Sequence, residues 1–312
     1  MKVVVTGGAG FIGANLCRTL AAADEIDEVV ALDDLSTGLA PNLEGVDASL
    51  VIGDMVDPEV LDSVLPGAAA VVHLGARPSV PRSLDDPIAS HHANATGTLQ
   101  VLEAVRRHDV GYVVVASSSS VYGSNPELPK HEGLVPMPVS PYAASKLATE
   151  SYALAHAASF GIGALALRFF NVYGPLQTAG HAYAAVVPAF VAAALAREPV
   201  TIHGDGGQTR DFTYIGSVCE VLTAAVQARV TSDRPVNLAF GGRSSLLEVL
   251  DELEAILGVP VERQHVGPRP GDVRDSQADQ TNLRALFPSI VPVELDEGLR
   301  RTVAWFRTGT VA

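Results

Sequence analysis

Residues Lys2 to Gly13 read KVVVTGGAGFIG, and the interpretation of the rest of the chain starts from them. The three consecutive valines are β-branched, which is typical of a strand buried on both faces. Gly7, Gly10 and Gly13 follow at intervals of three, and Ala14 to Leu20 is typical of a helix. A strand, a glycine turn and a helix N-terminus form an anion site, because bare backbone lets a pyrophosphate approach free N–H groups. The pattern differs from the dinucleotide fingerprint only in its first spacing, which is GxxG rather than GxG.

Asp33 indicates that the bound anion is a dinucleotide. It ends a second predicted strand, Val29 to Asp33, twenty residues after Gly13. A carboxylate there can accept a hydrogen bond from an adenosine ribose 2′-hydroxyl and would repel a 2′-phosphate, so NAD is favoured over NADP. The alternative is a tight turn packed against a sheet with no nucleotide. The occurrence of strand, glycines, helix and acid together favours the dinucleotide site.

The composition indicates a globular chain of about two domains, since 312 residues, 47% of them hydrophobic, can bury a large core. Acidic residues outnumber basic ones by 35 to 21, and the net charge of −14 argues against a nucleic-acid or anionic-membrane surface. Only Cys17 and Cys219 are cysteines, which fits a cytoplasmic protein. Met1 leads directly into the first strand, so we expect no signal peptide. The longest apolar run, Ala184 to Ala196, is too short to span a bilayer.

Strands and helices alternate along the first half of the chain. Further predicted strands are Ser49–Gly53, Ala69–Leu74, Tyr112–Ala116, Ala164–Phe169 and Val200–Ile202. Predicted helices are Pro58–Leu65, Ile88–His108, Tyr142–Ser159 after an N-cap at Ser140, Ala184–Arg197, and Ser245–Leu257, which a capping box from Ser245 to Glu248 begins. This alternation predicts an α/β fold with a doubly wound, mostly parallel Rossmann sheet. We expect residues 1–173 to form the NAD-binding domain, with 210–240 returning to it, and 174–312 to form mainly a smaller, interleaved substrate domain.

Tyr142 and Lys146 are candidate catalytic residues because they are spaced i and i+4 on one predicted helix and therefore face the same way. An ammonium near a phenol favours the phenolate, so we expect Lys146 to lower the pKa of Tyr142 from about 10 towards neutrality. Tyr142 could then act as a general base towards a sugar hydroxyl, with the hydroxyl of Ser118 sharing the proton. The alternative is a surface tyrosine beside a solvated lysine, which any helix can carry.

Four motifs together carry a family resemblance: TGGAGFIG, ASSSSVYG, SPYAASK and RFFNVYG. With them the chain resembles an extended short-chain dehydrogenase/reductase and, more narrowly, the NAD-dependent nucleotide-sugar epimerase/dehydratase family, near the UDP-hexose 4-epimerases. The resemblance covers nearly the whole length. The motifs are more specific for the family than for the reaction.

The resemblance implies a set of binding residues around NAD and a UDP-sugar. The implied NAD contacts are Gly7, Gly10, Phe11, Ile12, Gly13, Asp33, Asp34, Ser36, Thr37, Gly38, Asp54, Met55, Leu74, Gly75, Ala76, Asn94, Ala116, Ser117, Tyr142, Lys146 and Phe169. The implied substrate contacts are Ser79, Ser118, Ser119, Ser120, Tyr142, Asn171, Val187, His203, Arg210, Arg269, Asp272 and Ser276. Lys146 would hold the nicotinamide ribose. Asn171 and Arg210 would hold the diphosphate, with Arg269 at its second phosphate, and arginine forks suit phosphate.

The positions after Ser118 bear on the reaction. Relatives that are 4,6-dehydratases carry an Asp-Glu pair there, and decarboxylating relatives keep a glutamate, whereas this chain has Ser119 and Ser120. The resemblance therefore implies 4-epimerisation: Tyr142 removes the sugar 4-hydroxyl proton while C4 gives hydride to NAD, the 4-keto sugar turns over, and hydride returns to the opposite face. The alternatives are a nucleotide-sugar dehydratase or oxidoreductase, or a non-catalytic NAD-binding sensor.

The identity of the sugar stays open at this point. In related epimerases a tyrosine after the RPGDV loop excludes N-acetyl groups, and this chain has Ser276 there, which indicates room for UDP-GlcNAc as well as UDP-glucose. The SVPRS segment also occurs in N-acetylhexosamine epimerases, but ASSSSVYG is common in UDP-glucuronate 4-epimerases. Pro78 stands where some epimerases have a lysine near the cofactor, which puts one NAD contact in doubt.

Two further expectations concern metals and partners. His91 and His92 are adjacent and diverge on a helix, His73 ends a strand, and no spacing suggests a metal site. By resemblance, the helices Ile88–His108 and Tyr142–Ser159 would pair with a second copy as a four-helix bundle, giving a homodimer.

Overall fold

The computed structural model describes residues 1–179, 184–267 and 274–308. The strands are β1 (Lys2–Thr6), β2 (Glu28–Asp33), β3 (Ser49–Ile52), β4 (Ala70–His73), β5 (Tyr112–Ser118), β6 (Gly163–Phe169), β7 (Val172–Tyr173), β8 (Val200–His203), β9 (Thr209–Arg210), β10 (Thr213–Tyr214), β11 (Val236–Leu238), β12 (Ser244–Ser245) and β13 (Arg263–Val266). The α-helices are α1 (Phe11–Ala21), α2 (Pro58–Val64), α3 (Val80–Asp85), α4 (Pro87–His91), α5 (Gly97–Arg107), α6 (Pro141–Phe160), α7 (Val186–Ala196), α8 (Ile215–Ala228), α9 (Leu246–Leu257), α10 (Thr281–Leu286) and α11 (Leu295–Arg307).

Seven parallel strands form the central sheet in the order β11-β6-β5-β4-β1-β2-β3. Successive side chains of β1 enter different cores: Val3 and Val5 pack with α1 and α8 on one face, and Val4 packs with α2, α5 and α6 on the other. All three valines are fully buried, as the continuous apolar run predicts for a strand covered on both faces. The doubly wound α/β fold is confirmed.

The strand order reverses at β1, where β2 and β4 lie on either side. Ligands bind such sheets outside the carboxyl ends of the strands at this switch point, which is where the glycine turn after β1 lies. The chain also returns to the sheet late, because β11 pairs with β6 between Val236 and Leu238. That return falls within 210–240.

The helix predicted over Ile88–His108 is present, but it contains a π-helical turn that its apolar spacing did not indicate. Helix α4 ends at His91, a π-helical turn spans His92–Thr96, and α5 begins at Gly97. Inside the π-turn, the Asn94 side chain accepts a hydrogen bond from the backbone N–H of Arg77 at 2.7 Å. A π-turn adds one residue without breaking the helix, so the apolar spacing on each side still looks helical in sequence.

The second half adds a layer of helices and short two-stranded sheets beside the main sheet. β8 pairs with β13 in parallel, β9 pairs with β12 antiparallel, and β10 pairs with β7. Helix α9 begins with the predicted capping box, in which Ser245 and Glu248 exchange side-chain and backbone hydrogen bonds. Helix α7 begins at Val186, two residues later than predicted.

Candidate functional site

A cavity of about 610 Å³ opens at the carboxyl ends of the central strands. Nine of the predicted NAD contacts line it: Gly7, Asp33, Asp34, Ser36, Thr37, Asp54, Met55, Gly75 and Ala76. The cavity lining also contains residues that sequence reasoning missed, namely Arg77, Arg82, Asp85, Ala89 and His92. These residues lie on α3, α4 and the segments around them. In the sequence, only the SVPRS segment, which contains Arg82, pointed to this region.

The glycine turn between β1 and α1 is packed so closely that side chains would not fit. Gly7 has a positive φ of +70°, and its N–H donates to the Leu32 carbonyl at 2.8 Å. A Cβ on Gly13 would lie 2.0 Å from the carbonyl oxygen of Gly7, and one on Gly7 would lie 2.8 Å from the backbone nitrogen of Gly75. The turn is therefore bare backbone at a helix N-terminus, which fits the pyrophosphate of a dinucleotide.

Asp33 is fixed by backbone donors at the end of β2. Its Oδ2 accepts from the Ala9 N–H at 2.9 Å and its Oδ1 from the Leu35 N–H at 2.8 Å. Burial raises the pKa of this carboxyl, and the two backbone hydrogen bonds act in the opposite direction. A Cβ on Gly38 would lie 2.7 Å from both carboxylate oxygens, so the glycine leaves room for Asp33. Carboxylate lone pairs beyond the two backbone bonds suit a ribose diol.

Ser118 and Tyr142 lie in contact, and Lys146 follows Tyr142 by one turn of α6. Ser118 ends β5, and α6 begins at Pro141 after Ser140, whose hydroxyl accepts from the Ala143 N–H at 3.1 Å. The Ser118 hydroxyl hydrogen-bonds the phenol of Tyr142. Lys146 is 4% exposed, and its Nζ donates to the Ala116 carbonyl at 2.8 Å.

The pKa of Tyr142 was expected to be lowered by Lys146, but in the structure it is raised. Burial raises the pKa of Tyr142, and the hydrogen bond from Ser118 acts in the opposite direction. Burial also lowers the pKa of Lys146 to about 8. The ammonium is directed at the Ala116 carbonyl, and for the phenol the effect of desolvation on the pKa outweighs that of the Ser118 hydrogen bond. The protein alone therefore holds Tyr142 as the neutral phenol.

The remaining predicted NAD residues lie around the same strand ends. They are Gly10, Phe11, Ile12 and Gly13 at the start of α1, Gly38 after β2, Leu74 after β4, Asn94 in the π-turn, Ala116 and Ser117 on β5, and Phe169 at the end of β6. Several of these residues already form hydrogen bonds within the protein, including the Asn94 side chain with the backbone of Arg77. The Ser117 hydroxyl donates to Glu150 at 2.7 Å, and the Ala116 carbonyl accepts from Lys146.

A second cavity, of about 250 Å³, lies between the sheet end and the second half of the chain. Four of the predicted substrate contacts line it: Asn171, Val187, His203 and Arg210. Asn171 has a φ of +29°, and its Nδ2 donates to the Asp211 carbonyl at 3.2 Å. Strained non-glycine backbone of this kind concentrates at functional sites. The cavity also contains Gln208, whose Nε2 donates to the His203 carbonyl at 2.7 Å.

The other predicted substrate residues are more dispersed. Ser119 and Ser120 begin a 3₁₀ turn, and the Ser120 hydroxyl donates to that of Ser118 at 2.9 Å. Ser79 has a φ of +97° and caps α3. Ser276 is half-buried, and its N–H donates to the Thr209 carbonyl at 3.1 Å, beside Arg210. Arg269 and Asp272 lie outside the described residues.

Comparison with known proteins identifies the family. Residues 3–239 match the model described as the NAD dependent epimerase/dehydratase family. The chain is also 37% identical to the UDP-glucose 4-epimerase of Mycolicibacterium smegmatis, over 98% of this chain and 99% of that protein. This chain belongs to the NAD-dependent epimerase/dehydratase family. NAD is accordingly its cofactor, and the glycine turn and Asp33 fit it.

Solved structures agree with the match. The chain has a TM-score of 0.93 and 34% identity to the UDP-N-acetylglucosamine 4-epimerase of Methanobrevibacter ruminantium in complex with UDP-N-acetylmuramic acid, covering 99% of both chains. It has a TM-score of 0.89 and 37% identity to the Thermus thermophilus UDP-glucose 4-epimerase in complex with NAD, covering 100% of both.

Within 1–179, 184–267 and 274–308, no helix has the length and hydropathy needed to cross a membrane. The same residues hold no cluster of three or more histidine, cysteine, aspartate or glutamate side chains arranged to bind a metal ion.

Proposed function

We propose that the protein is an NAD-dependent UDP-hexose 4-epimerase. The observation that carries the proposal is the hydrogen-bonded pair of Ser118 and Tyr142 beside the buried Lys146, at the end of the sheet that carries the glycine turn. We propose residues 1–173, with 210–240, as the NAD-binding part and the remainder of 174–312 as the part that binds the nucleotide sugar.

The chemistry needs a proton acceptor for the sugar 4-hydroxyl and a hydride acceptor for C4. NAD, when bound, supplies the reversible hydride acceptor. Tyr142 is the proton acceptor, and Ser118 donates a hydrogen bond that stabilises the phenolate as the proton leaves the sugar. Because burial by itself holds Tyr142 neutral, its ionisation depends on positive charge in the cleft, which includes Lys146 while that amine is protonated.

The residues beside Ser118 favour epimerisation over elimination. Ser119 and Ser120 lie at the start of the 3₁₀ turn, where a carboxylate acid and base would be needed to remove water. Hydroxyl groups cannot take that role near neutral pH. The 4-keto sugar is therefore reduced again rather than dehydrated, and the sugar leaves with its C4 configuration inverted.

The sugar is proposed from Ser276. Its backbone is fixed to Thr209, next to Arg210 on β9, and a serine there is smaller than a tyrosine. We propose that both UDP-glucose and UDP-GlcNAc are accepted. UDP-glucuronate is the second candidate, since the three serines from Ser118 to Ser120 place hydroxyl groups at the strand end where a C6 carboxylate could be bound.

The experiment is to incubate the purified protein with UDP-glucose, UDP-GlcNAc and UDP-glucuronate separately, without added NAD, and to follow the sugar H1 and H4 signals by NMR. A 4-epimer at equilibrium supports the proposal, and the fastest substrate tests the role of Ser276. A keto or unsaturated sugar would replace the proposal with a dehydratase. NAD present in the protein without turnover of any of the three would mean that the substrate class is wrong or that the site is only a sensor.

A further inference from the structure

A buried ion pair lies behind the catalytic residues. Arg168 on β6 and Glu150 on α6 are 2% and 3% exposed. The guanidinium binds the carboxylate through two hydrogen bonds, from Nε to Oε2 at 3.0 Å and from Nη2 to Oε1 at 2.6 Å. Burying such a pair is a weak source of stability, because the desolvation of both charges offsets their attraction. Its position therefore calls for another explanation.

The pair connects the elements that carry the catalytic residues. Ser117 and Arg168 are directly opposite each other in the register of β5 and β6. The Ser117 hydroxyl donates to Glu150 Oε2 at 2.7 Å, so one carboxylate is bound by side chains from both strands. The next residue after Ser117 is Ser118. The carboxylate thus fixes the end of β5 at the residue directly before the catalytic hydroxyl.

On the helix, Glu150 continues the row formed by Tyr142 and Lys146, since the three residues are spaced i, i+4 and i+8. The Ser117 hydroxyl also lies 3.3 Å from the Lys146 carbonyl. The contacts between β5 and α6 therefore extend to the lysine itself. The hydroxyl has one hydrogen, and the shorter contact to Glu150 takes it.

We propose that Glu150, oriented by Arg168 and Ser117, is a positioning residue that sets the distance between Ser118 and Tyr142. This inference rests on the proposed epimerase function for its effect on rate. Without the contacts of Glu150 with Ser117 and Arg168, the end of β5 can move relative to α6. A displacement of a catalytic group on the order of 1 Å can lower the catalytic rate up to a hundredfold.

The test compares Ser117→Thr with Ser117→Val, two side chains of nearly equal shape that differ in the hydroxyl. Any cost of the extra methyl groups in this buried position is common to both. We expect kcat of the valine variant to be roughly tenfold below that of the threonine variant, with KM for the nucleotide sugar within about twofold. We also expect faster amide hydrogen exchange at residues 117–122 and 141–150 in the valine variant alone.

His156→Leu is the control for stability on the same helix. It breaks the contact of His156 with Glu103 on α5, at 2.9 Å, away from β5. It should lower the melting temperature and leave kcat within about twofold of the wild type. Equal kcat and equal exchange in the two Ser117 variants would overturn the inference. A wild-type protein without turnover would refute the proposed function, and hydrogen exchange would then decide the positioning role alone.

Discussion

Gly13→Ala is the sharpest test of the cofactor turn, because the clash it creates is with backbone. Its Cβ would lie 2.0 Å from the Gly7 carbonyl oxygen and 2.8 Å from the Gly8 Cα, whereas real Cβ contacts essentially never fall below 3.0 Å. Helix α1 and the turn must therefore separate by about 1 Å, since neither partner is a flexible side chain.

The free-energy cost follows from two opposing terms. Alanine in place of glycine inside a helix is worth about 1 kcal/mol, and overpacking against rigid structure costs about 3 kcal/mol or slightly more. We expect the NAD-free chain to lose about 2 kcal/mol of unfolding free energy. The displaced turn would also lose about two charge-assisted hydrogen bonds to the pyrophosphate, which weakens NAD binding roughly a hundredfold.

The assay is calorimetric titration of the NAD-free protein with NAD, together with urea unfolding. Gly161→Ala is the matched control, because Gly161 caps α6 with a φ of +71° and a Cβ there meets nothing within 4 Å. Its left-handed backbone should cost about 1 kcal/mol of stability, with NAD affinity unchanged. Wild-type NAD affinity in Gly13→Ala would refute the assignment of this turn to the pyrophosphate.

Three further predictions concern catalysis, pH and assembly. Tyr142→Phe should lower kcat about a thousandfold, because the proton acceptor is lost. The amount of NAD extracted from the variant should stay near that of the wild type. A residual rate above a tenth of the wild-type rate would exclude Tyr142 as the proton acceptor. Burial raises the pKa of Asp211 to about 7, so the folded chain holds more protons than the unfolded chain between pH 4 and 7, and stability falls there as pH rises. Asp211→Asn should remove a slope of up to about 1.4 kcal/mol per pH unit in urea unfolding of the NAD-free protein, and equal slopes in the two proteins would contradict this. We expect light scattering to show a dimer for the wild type, formed through the helices that include Ile88, which is 82% exposed. Ile88→Asp should then be a monomer, and Ile52→Asp, at an edge-strand residue that is 66% exposed, should remain a dimer. A monomeric wild type would contradict this prediction.

Local patterns predicted the elements well where the physical cause is itself local. The Ser140 cap and the capping box at Ser245 depend on side chains within one helical turn, and both are confirmed. The helix around Asn94 was predicted but its π-turn was not, because that turn coincides with a hydrogen bond between Asn94 and Arg77, which lie seventeen residues apart. Apolar spacing does not record such a contact.

The candidate site divides in the same way. The sequence indicated Tyr142 and Lys146 through their spacing, and the structure brings them to Ser118. The pKa of Tyr142 was expected to fall and is raised by burial, since desolvation depends on all the elements packed around the phenol. Arg77 and Arg82 were missed as cavity residues for a related reason. Their segment of the chain comes to line the cavity only when the chain folds.

The sequence by itself determined the strand, glycine turn and helix at residues 2–21, the acid that ends β2, and the family to which the chain belongs. Each depends on backbone conformation and side-chain spacing over a few residues, which the order of amino acids fixes directly. Only the tertiary structure decided that Glu150 binds side chains from two strands, Ser117 on β5 and Arg168 on β6. Those contacts join residues up to 33 positions apart, and burial gives them their strength by removing the water that would otherwise compete.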